Sequence, residues 1–393
     1  MDEPDEQPTA DIARRVLCMQ SSVVSGHVGN SAAIFPLQLL GWDALPLNTV
    51  QLATHTGYPT IAGKKLTGDE MRALVHGLTE NALLSSVEAA LSGYMASADT
   101  LCAVSEAVLT ARALTPSLFY VCDPVLGDRD APDADGRLYV PADVVPAMIA
   151  HVRATSPDVL TPNAFEAEVL TGSAPITDVR TALNAADALH ALGARTVVIT
   201  SSFISGAQSG AAGAASAGTK SENILIIVSG PWADFADEIE ADGVAPGHPA
   251  LPCALRARSG GVPVRRQRLF PAGAPATAPY ARFGIQVPRL SCAFTGTGDL
   301  LAALILSHAC GARAAAKDAG GFATALEVAV GTAHAVCVRT FRKRAASLAV
   351  PGADAANKAT VAAATELALI PSRFDILDPV VFDDMQAFSL APS

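Results

Sequence analysis

The sequence predicts an α/β fold of three layers, in which a central, mostly parallel β-sheet is covered by helices on both faces. Short apolar segments that suit strands alternate along the chain with segments that suit helices, the order found in parallel-sheet proteins. The chain has 393 residues, of which 50% are hydrophobic and 17% charged, so it can bury a large core. This composition excludes global disorder and small disulfide-stapled folds.

The first unit runs from a strand through a loop to a helix. Residues 16–19 predict a short buried strand, residues 20–30 predict a loop that contains Gly26 and Gly29, and residues 31–40 predict an apolar helix. The order then repeats. Strands are predicted at 118–122, 158–160 and 196–200, and helices at 165–170 and 177–192.

The composition changes after Ser201. Residues 206–219 are almost entirely Gly, Ala and Ser, which are too small to pack a core, and they predict a flexible loop. A strand is predicted again at 224–228. A Pro-, Gly- and Ala-rich insertion follows from about Pro231 to Tyr280, and its basic run suits a solvated face or a docking patch; that run consists of Arg265, Arg266 and Arg268.

The remaining elements complete one predicted domain over residues 14–343. They are a strand at 283–287, a turn at 294–299, and helices at 300–307 and 323–341, the last followed by basic residues that suit a helix C-terminus (Arg342, Lys343 and Arg344). A disordered acidic N-terminus (1–13) and a C-terminal extension (344–393) flank the domain. Composition favours disorder in the long insertion and in the extension, and we expect neither to touch a functional motif.

Charge and targeting features exclude several protein classes. Lys and Arg number 27 against 38 Asp and Glu, and the net charge of −11 opposes general attraction to nucleic acid or anionic membranes. No apolar run approaches the roughly 18 residues of a membrane span. The first ten residues carry no basic residue, unlike a targeting peptide, so we expect a cytoplasmic protein. Seven cysteines without a CxxC pair argue against a disulfide framework and a cysteine zinc site.

Two common phosphate-binding motifs are absent. The pattern GxxxxGK[ST] fails because Gly57 and Gly63 are one residue too far apart and Lys65 replaces Ser or Thr. The pattern GxGxxG fails because Leu301 stands at its last position.

The segment Gly296-Thr297-Gly298-Asp299 nevertheless suits an anion hole. Its two glycines let successive backbone N–H groups converge, and the helix predicted directly after it adds a positive dipole end. Asp299 is placed to accept a proton from a hydroxyl that attacks a phosphorus atom held there. Taken alone, the same residues also suit a Gly-rich turn with Asp as a helix cap.

Two further segments combine polar side chains with strand ends. Asn163 and Glu166 lie three residues apart at a predicted helix start, where they suit either a phosphate-bound metal or a capping box. Asp123 and Asp128 follow a buried strand, in a position where carboxylates attract Mg²⁺ or simply cap a loop.

Seven separated segments together resemble the motifs of pyridoxal kinases. Their order and spacing also agree, and the resemblance covers about residues 14–230 and 282–343. The segments are 20–30 (QSSVVSGHVGN), 55–58 (HTGY), 92–94 (SGY), 122–128 (CDPVLGD), 161–168 (TPNAFEAE), 197–202 (VVITSS) and 294–300 (FTGTGDL).

The resemblance implies a ribokinase-like fold and the ATP-dependent phosphorylation of the 5′-hydroxyl of pyridoxal, pyridoxine and pyridoxamine. It also implies Mg²⁺, a monovalent cation such as K⁺, and a homodimer. By the motif match, Asp299 would be the catalytic base, and the amides of Gly296, Thr297 and Gly298 would form the anion hole. Ser21, Thr49 and Tyr94 would hold the pyridine ring.

The same match implies a nucleotide and metal side of the site. Asp128 and Glu166 would hold Mg²⁺, whereas Asp123, Thr161 and Thr200 would surround the monovalent cation. The loop 129–139 would close over ATP. Further nucleotide contacts would come from Asp123, Tyr139, Asn163, Glu166, Thr200, Ser201, Leu290, Ser291, Cys292, Gly296 and Thr297.

Two alternatives and one departure from the family remain. A related kinase acting on hydroxymethylpyrimidine would share the fold and the anion hole but not the ring pocket. A binding or scaffold protein would keep the ring pocket without turnover, although the presence of Asp299 and Gly298 argues against it. His27 stands where many relatives have an aromatic residue, and we interpret it as a loop histidine without a catalytic role.

Overall fold

A computed structural model describes seven segments of the chain. They are residues 13–129, 135–202, 223–231, 280–314, 321–349, 357–379 and 387–389. The predicted Gly/Ala/Ser loop (206–219), the interior of the long insertion and its basic run lie outside these residues. Of the predicted acidic N-terminus (1–13), only residue 13 is described.

One large β-sheet forms the centre of the fold. In the described residues it has ten strands, in the order β12-β11-β10-β9-β8-β5-β4-β1-β2-β3, and a separate two-stranded hairpin (β6 and β7) completes the set. The strands are β1 (Arg14–Val23), β2 (Trp42–Leu52), β3 (Gly63–Lys65), β4 (Val87–Ser92), β5 (Phe119–Cys122), β6 (Gly127–Asp128), β7 (Arg137–Leu138), β8 (Val159–Leu160), β9 (Thr196–Ser202), β10 (Asn223–Pro231), β11 (Tyr280–Pro288) and β12 (Ala387–Ser389).

The middle of the sheet is parallel and its two edges are antiparallel. Strands β2, β1, β4, β5, β8 and β9 pair in parallel in that spatial order. Strand β3 at one edge and strands β10 to β12 at the other pair antiparallel. The predicted mostly parallel sheet is thus confirmed for its core, where crossover helices cover both faces.

Helices cover the sheet on both sides. They are α1 (Asn30–Leu39), α2 (Gly68–Glu80), α3 (Ala98–Leu114), α4 (Val144–Thr155), α5 (Ala164–Thr171), α6 (Val179–Leu192), α7 (Thr297–Ala314), α8 (Phe322–Leu348), α9 (Lys358–Thr365) and α10 (Arg373–Leu377). Residues of α1, α7 and α8 share one buried apolar cluster, and residues of α2 to α6 share another. Each face of the sheet therefore has its own core.

The predicted elements are present, but two boundaries differ. The strand predicted at 16–19 extends over 14–23, because polar residues at both ends pair with neighbouring strands although they carry no apolar signal. The turn predicted at 294–299 is wrong in its second half, since α7 already begins at Thr297. Asp299 therefore lies in the first turn of the helix, three residues after Gly296. The glycines around Thr297 concealed this start, because Gly disfavours a helix in isolation.

The long insertion joins two neighbouring antiparallel strands. β10 ends at Pro231 and β11 begins at Tyr280, and these two residues are paired. Residues 232–279 therefore leave and re-enter the sheet at the end of one hairpin. The domain boundaries predicted from the sequence remain predictions.

The segment after Arg344 is folded where it is described. Helix α8 continues to Leu348, and residues 357–379 pack α9, a 3₁₀ turn at Ile370–Ser372 and α10 against it. Leu367, Leu369 and Ile376 are buried in the core cluster of α7 and α8. The expectation that composition favours disorder here is wrong for these residues, because a few large apolar side chains anchor an otherwise Ala-rich stretch.

Helix α8 is long and apolar enough to cross a membrane by length and composition alone. Two thirds of its most apolar window is buried inside the fold, however (67%). A helix whose apolar surface packs mainly against neighbouring protein is a core helix of a folded domain.

Candidate active site

The predicted motifs converge at the carboxyl ends of the parallel strands. Ser21 lies near the end of β1, Tyr94 follows β4, Asp123 follows β5 and Thr161 follows β8. The N-terminus of α7 lies at the same edge, because Asp123 Oδ2 is only 3.4 Å from the position that a Cβ on Gly298 would take. Ligands of open α/β sheets bind at this edge, so we describe the region as the candidate active site.

The glycine at the start of α7 makes a close backbone approach possible. Gly296 has φ +87°, and a Cβ there would lie 2.0 Å from the carbonyl oxygen of His27. Its own carbonyl accepts the N–H of Leu300 at 3.0 Å and so begins the helix. The first N–H groups of a helix have no partner within the helix, and here the helix dipole aids them in binding an anion.

Asp299 is the partly buried carboxylate of this helix start. Burial raises its pKa to about 6, and a hydrogen bond from the backbone N–H of Gly29 opposes that rise. A carboxylate with this pKa is mostly ionised at neutral pH yet basic enough to accept a proton. The geometry thus provides a proton acceptor directly beside three helix N–H groups.

Two further buried carboxylates lie near Asp299. Asp123 and Glu166 are 5% and 4% exposed. Burial raises the pKa of Asp123 well above its usual range, and the charges of Glu166 and Asp299 raise it further. Burial also raises the pKa of Glu166 to about 8, although backbone N–H groups oppose the shift. These carboxylates disfavour one another's charge, which a bound cation would relieve.

Glu166 closes a capping box and also fixes the Asp123–Asp128 loop. Its Oε2 accepts the N–H of Asn163 at 2.9 Å, and Asn163 Oδ1 accepts the N–H of Glu166 at 2.8 Å. Its Oε1 accepts the N–H of Leu126 at 2.9 Å, and Asn163 Nδ2 donates to the Gly127 carbonyl at 2.8 Å. The capping-box interpretation is therefore correct, but the cap simultaneously holds the neighbouring acidic loop in place.

A small hairpin carries Asp128 and leads to Tyr139. Strands β6 and β7 pair Asp128 with Arg137, and Tyr139 N–H donates to the Leu126 carbonyl at 2.7 Å. The Phe165 ring packs against both strands, since a Cβ on Gly136 would lie 2.0 Å from it and one on Gly127 would lie 2.7 Å from it. The tip of the predicted closing loop, residues 130–134, lies outside the described residues.

The substrate-side residues are arranged in two layers. Ser21 packs on Gly29, where a Cβ would lie 2.4 Å from Ser21 Oγ. Tyr94 is partly exposed, whereas Thr49 is fully buried and donates its hydroxyl to the Tyr94 carbonyl at 2.8 Å. The contact between Thr49 and a ring stays a prediction. Thr49 fixes the backbone of Tyr94 from below, which residue types and spacing alone did not reveal.

Several polar side chains at this edge have buried atoms without a partner among the described residues. They include Gln20, with both amide atoms, and His55, with Nε2. His55 Nδ1 accepts the Gly57 N–H at 3.1 Å, so the neutral ring carries its proton on Nε2. Burial lowers the pKa of His55, and the charge of Glu366 opposes the shift. Sequence reasoning gave neither residue a role, although both lie within the quoted motifs.

The C-terminal segment also reaches the site. Glu366 forms a β-bridge with Thr295, immediately before the anion-hole glycine, and accepts the Tyr58 hydroxyl at 2.7 Å. Burial and this hydrogen bond raise the pKa of Tyr58 to about 12, so Tyr58 remains a donor. The expectation that the C-terminal extension touches no motif is therefore wrong. Glu366 and Tyr58 are 308 positions apart in the sequence, so no local sequence pattern indicates their contact.

The remaining predicted residues lie around the nucleotide side. Thr161 is buried, and the Thr161 hydroxyl interacts with Asp123. Thr200 N–H donates to the Pro162 carbonyl at 2.9 Å, which places Thr200 and Ser201 beside the TPN segment. Leu290, Ser291 and Cys292 lie in the loop between β11 and α7. No described contact ties those three to the anion hole.

Comparison with known proteins gives the chain its family. A model described as phosphomethylpyrimidine kinase matches residues 73–223, less than half of the chain. A pyridoxal kinase of Arabidopsis thaliana is 34% identical over 369 residues, which cover 93% of this chain and 92% of that protein. This chain belongs to the pyridoxal kinase family.

Further pyridoxal kinases agree in sequence and in structure. The one from Homo sapiens is 32% identical over 93% of this chain and 96% of its own length. The pyridoxal kinase from Leishmania donovani, solved in complex with ADP and pyridoxamine, superposes with a TM-score of 0.68 at 26% identity, and covers 96% of this chain and all of that one. The ribokinase-like fold implied by the sequence motifs is confirmed, and the match extends well beyond residue 343.

The donor set fits the divalent metal that ATP-dependent kinases use. Among the described residues, no three His, Cys, Asp or Glu side chains are grouped closely enough to hold a metal alone. Mg²⁺ in such enzymes is held by one or two carboxylates together with substrate phosphates. Glu166 and Asp128 have the oxygen chemistry that suits such a cation, since burial and the charge of Asp128 both raise the pKa of Glu166.

Proposed function

We propose that this pyridoxal kinase family member transfers the γ-phosphoryl group of ATP to the 5′-hydroxyl of pyridoxal, pyridoxine and pyridoxamine. Relatives of near-equal length support the activity. The single structural observation that carries it is Asp299, a carboxylate with a pKa of about 6 in the first turn of α7, beside the Gly296–Gly298 backbone.

The chemistry requires one proton transfer and one phosphoryl transfer. Asp299 accepts the proton of the 5′-hydroxyl, the oxygen forms a bond to the γ-phosphorus, and the bond to the ADP oxygen breaks. The N–H groups of Gly296, Thr297 and Gly298 would face the transferring group and stabilise its negative charge. Little covalent help is needed beyond this positioning, since phosphoryl transfer depends mainly on alignment and charge neutralisation.

The nucleotide side would be held by residues of β5, β8, β9 and the small hairpin. Asp128 and Glu166 would hold Mg²⁺, and Asp123, Thr161 and Thr200 would surround a monovalent cation such as K⁺. When bound, the divalent ion neutralises phosphate charge. Asn163, Thr200, Ser201, Tyr139 and Leu290 to Cys292 would contact ATP. The charge repulsion around Asp123 supports a cation there.

The ring side would be held by Ser21, Thr49 and Tyr94, and the Thr49 hydroxyl also fixes the Tyr94 backbone from the core. We also propose that the enzyme is cytoplasmic and acts as a homodimer without nucleic-acid or membrane partners, in keeping with its net charge of −11.

The match to the phosphomethylpyrimidine kinase model gives a second candidate substrate, hydroxymethylpyrimidine. It would use the same base and the same anion hole. The two differ in the pocket that receives the ring, so only a substrate comparison separates them.

Purified protein should be incubated with Mg²⁺-ATP and either pyridoxal or hydroxymethylpyrimidine, and the phosphorylated products measured. We expect pyridoxal 5′-phosphate from the native chain and a loss of about 10²–10⁴-fold in kcat for Asp299→Asn. Product from the pyrimidine alone would assign the chain to the second activity. Binding of pyridoxal without any turnover would mean a non-catalytic binding protein.

A further inference from the structure

We infer that Glu366, in the C-terminal segment, is a positioning residue for the B6 substrate, because it fastens Tyr58 and the Gly26–Gly29 loop to the wall of the active site. This inference deepens the proposed function and rests on it. The Glu366 side chain contacts the two loops, whereas only its backbone bridges Thr295, so removal of the carboxylate should affect substrate binding more than phosphoryl transfer.

The Glu366 side chain contacts two separate loops. Its Oε1 accepts the Tyr58 hydroxyl at 2.7 Å, in the loop that follows β2. The same oxygen lies 2.7 Å from the position of a Cβ on Gly26, in the loop between β1 and α1. Gly26 has φ +108°, which suits glycine alone, and the missing side chain is what admits the carboxylate. One carboxylate thus clamps both loops.

These two loops lead directly to the candidate substrate residues. The loop of Gly26 continues to Gly29, which packs on Ser21 and whose backbone N–H lowers the pKa of Asp299. The loop of Tyr58 contains His55, whose ring meets the Tyr58 ring edge to face at 4.9 Å between centroids. Movement of either loop would therefore displace groups on the ring side of the pocket.

Glu366 itself is held firmly by the core. Its neighbour Leu367 is 1% exposed, and the Ala368 N–H donates to the buried Thr340 hydroxyl at 2.9 Å. Lys343 Nζ donates to the Glu366 carbonyl at 3.3 Å, so α8 fixes the backbone on both sides. A clamp anchored on a core helix can hold mobile loops, because it loses little conformational freedom itself.

The side chain of Glu366 contacts Tyr58 and Gly26, whereas its backbone contacts Thr295. The bridge to Thr295 uses backbone atoms and persists in any side-chain variant. Removing the carboxylate should therefore loosen the two substrate loops and leave the anion hole in place. A charge-assisted hydrogen bond of this kind corresponds to about tenfold in binding.

The test compares Glu366→Ala, Tyr58→Phe and the double variant in the full-length protein. KM for pyridoxal, KM for ATP, kcat and the equilibrium Kd for pyridoxal are measured for each. We expect KM and Kd for pyridoxal to rise about tenfold in Tyr58→Phe, at least as much in Glu366→Ala, and no further in the double variant than in Glu366→Ala. KM for ATP should stay within about twofold, and kcat should fall by less than KM for pyridoxal rises.

Two further variants separate positioning from general stability. Glu366→Gln retains an oxygen that can accept the Tyr58 hydroxyl and should restore most of the affinity. Asp375→Asn breaks the ion pair with Arg339, which also ties the C-terminal segment to α8, and should leave pyridoxal binding unchanged. If Glu366→Ala does not fold, Tyr58→Phe, which removes one hydroxyl, carries the test.

Several results would overturn the inference. They are a fall in kcat with unchanged KM, additive effects in the double variant, or an equal loss in Asp375→Asn. Failure of the proposed function looks different. A native chain that binds pyridoxal but forms no product overturns the activity, whereas the Kd ratios still decide the role of Glu366.

Discussion

The backbone N–H of Gly29 faces the carboxylate of Asp299 and lowers its pKa against the rise that burial causes. The loop before α1 therefore lies beside the first turn of α7. Gly29 has φ +54°, and a Cβ there would lie 2.1 Å from the Ser21 carbonyl oxygen. The base, the loop and the proposed ring-binding serine are therefore one connected unit.

The first prediction concerns Asp299 and pH. Its pKa of about 6 lies above the ordinary value of 3.8, so the carboxylate becomes protonated as the pH falls through about 6. Because a protonated acid cannot accept the hydroxyl proton, kcat should decline below that pH. A pH profile of kcat in the native protein measures this directly, and a rate that stays constant down to pH 5 would exclude Asp299 as the base.

The second prediction is that Asp299→Asn gains stability while it loses activity. Above pH 6 the folded protein holds the Asp299 carboxylate charged and desolvated. Because folding raises the pKa of this group from 3.8 to about 6, the stability that its neutral form contributes is lost as the pH rises through that range. Removing the charge should raise the free energy of unfolding at pH 7.5 by up to about 3 kcal/mol. Urea unfolding of the two proteins measures it, and a destabilised variant would contradict this account.

The third prediction compares two glycines with the same backbone angle. Gly296 and Gly41 both have φ +87°, but a Cβ on Gly296 would lie 2.0 Å from the His27 carbonyl oxygen, whereas nothing lies within 4 Å at Gly41. Gly41→Ala should cost only the strain of the angle, about 1–2 kcal/mol. Gly296→Ala should cost more than about 3 kcal/mol, because the backbone must move as well.

Activity separates the two glycine variants further. A displaced Gly296 would disturb the N–H groups that face the transferring phosphoryl group, and kcat should fall by at least about 10²-fold. Gly41→Ala should retain native kcat. Equal activity in both variants would show that the backbone at Gly296 is not part of the anion hole.

The elements that the sequence predicted best are those with strong local signals. β5 is a continuous apolar run, β9 contains the apolar run Val197–Ile199, and α6 has clear apolar spacing, so their positions were found within a few residues. The capping box of Asn163 and Glu166 was also visible, since both partners lie in one turn.

What the sequence concealed depends on contacts between distant segments. Thr49 resembles a pocket residue by type, but the packing of β2 buries it completely. Residues 358–365 are rich in Ala, and only the long-range fit of Leu367 and Leu369 into the core of α7 and α8 orders the segment around them. The contact of Glu366 with Tyr58 has no counterpart in any local pattern.

The fourth prediction tests whether Thr49 contacts the substrate or positions Tyr94. Thr49→Val keeps the shape of the side chain but leaves the Tyr94 carbonyl without its donor, at a cost of about 1–3 kcal/mol in stability. KM for pyridoxal should rise only slightly, whereas Tyr94→Ala should raise it strongly. A tenfold or greater increase of KM in Thr49→Val, with unchanged stability, would support a direct contact instead.

The fifth prediction concerns His151, which lies in a buried chain of polar groups below the sheet edge. His151 Nδ1 meets Ser105 Oγ at 2.7 Å, and Nε2 meets the Tyr120 hydroxyl at 2.6 Å, which in turn meets Ser92 Oγ at 2.6 Å. Burial lowers the pKa of His151 from 6.5 to about 4. The folded state therefore keeps the ring neutral at a pH where the unfolded chain binds a proton.

This difference makes stability depend on pH. Between about pH 6.5 and pH 4 the unfolded state binds more protons at this site, so stability falls as the pH falls, by about 3 kcal/mol over the whole range. His308 has a similarly lowered pKa and contributes with the same sign, while Glu166 and Asp299 contribute with the opposite sign. The native profile alone therefore cannot isolate His151.

The difference in pH-dependent stability between the native protein and His151→Gln isolates His151, because the other titrating groups contribute equally in both proteins. Urea unfolding at pH 7.5 and at pH 5 should show a smaller acid loss in the variant than in the native chain. The exposed His76 provides the matched control, since His76→Gln should leave the profile unchanged. Parallel profiles for native protein and His151→Gln would mean that His151 is protonated in the folded state and that its hydrogen bonds to Ser105 and Tyr120 stabilise the imidazolium.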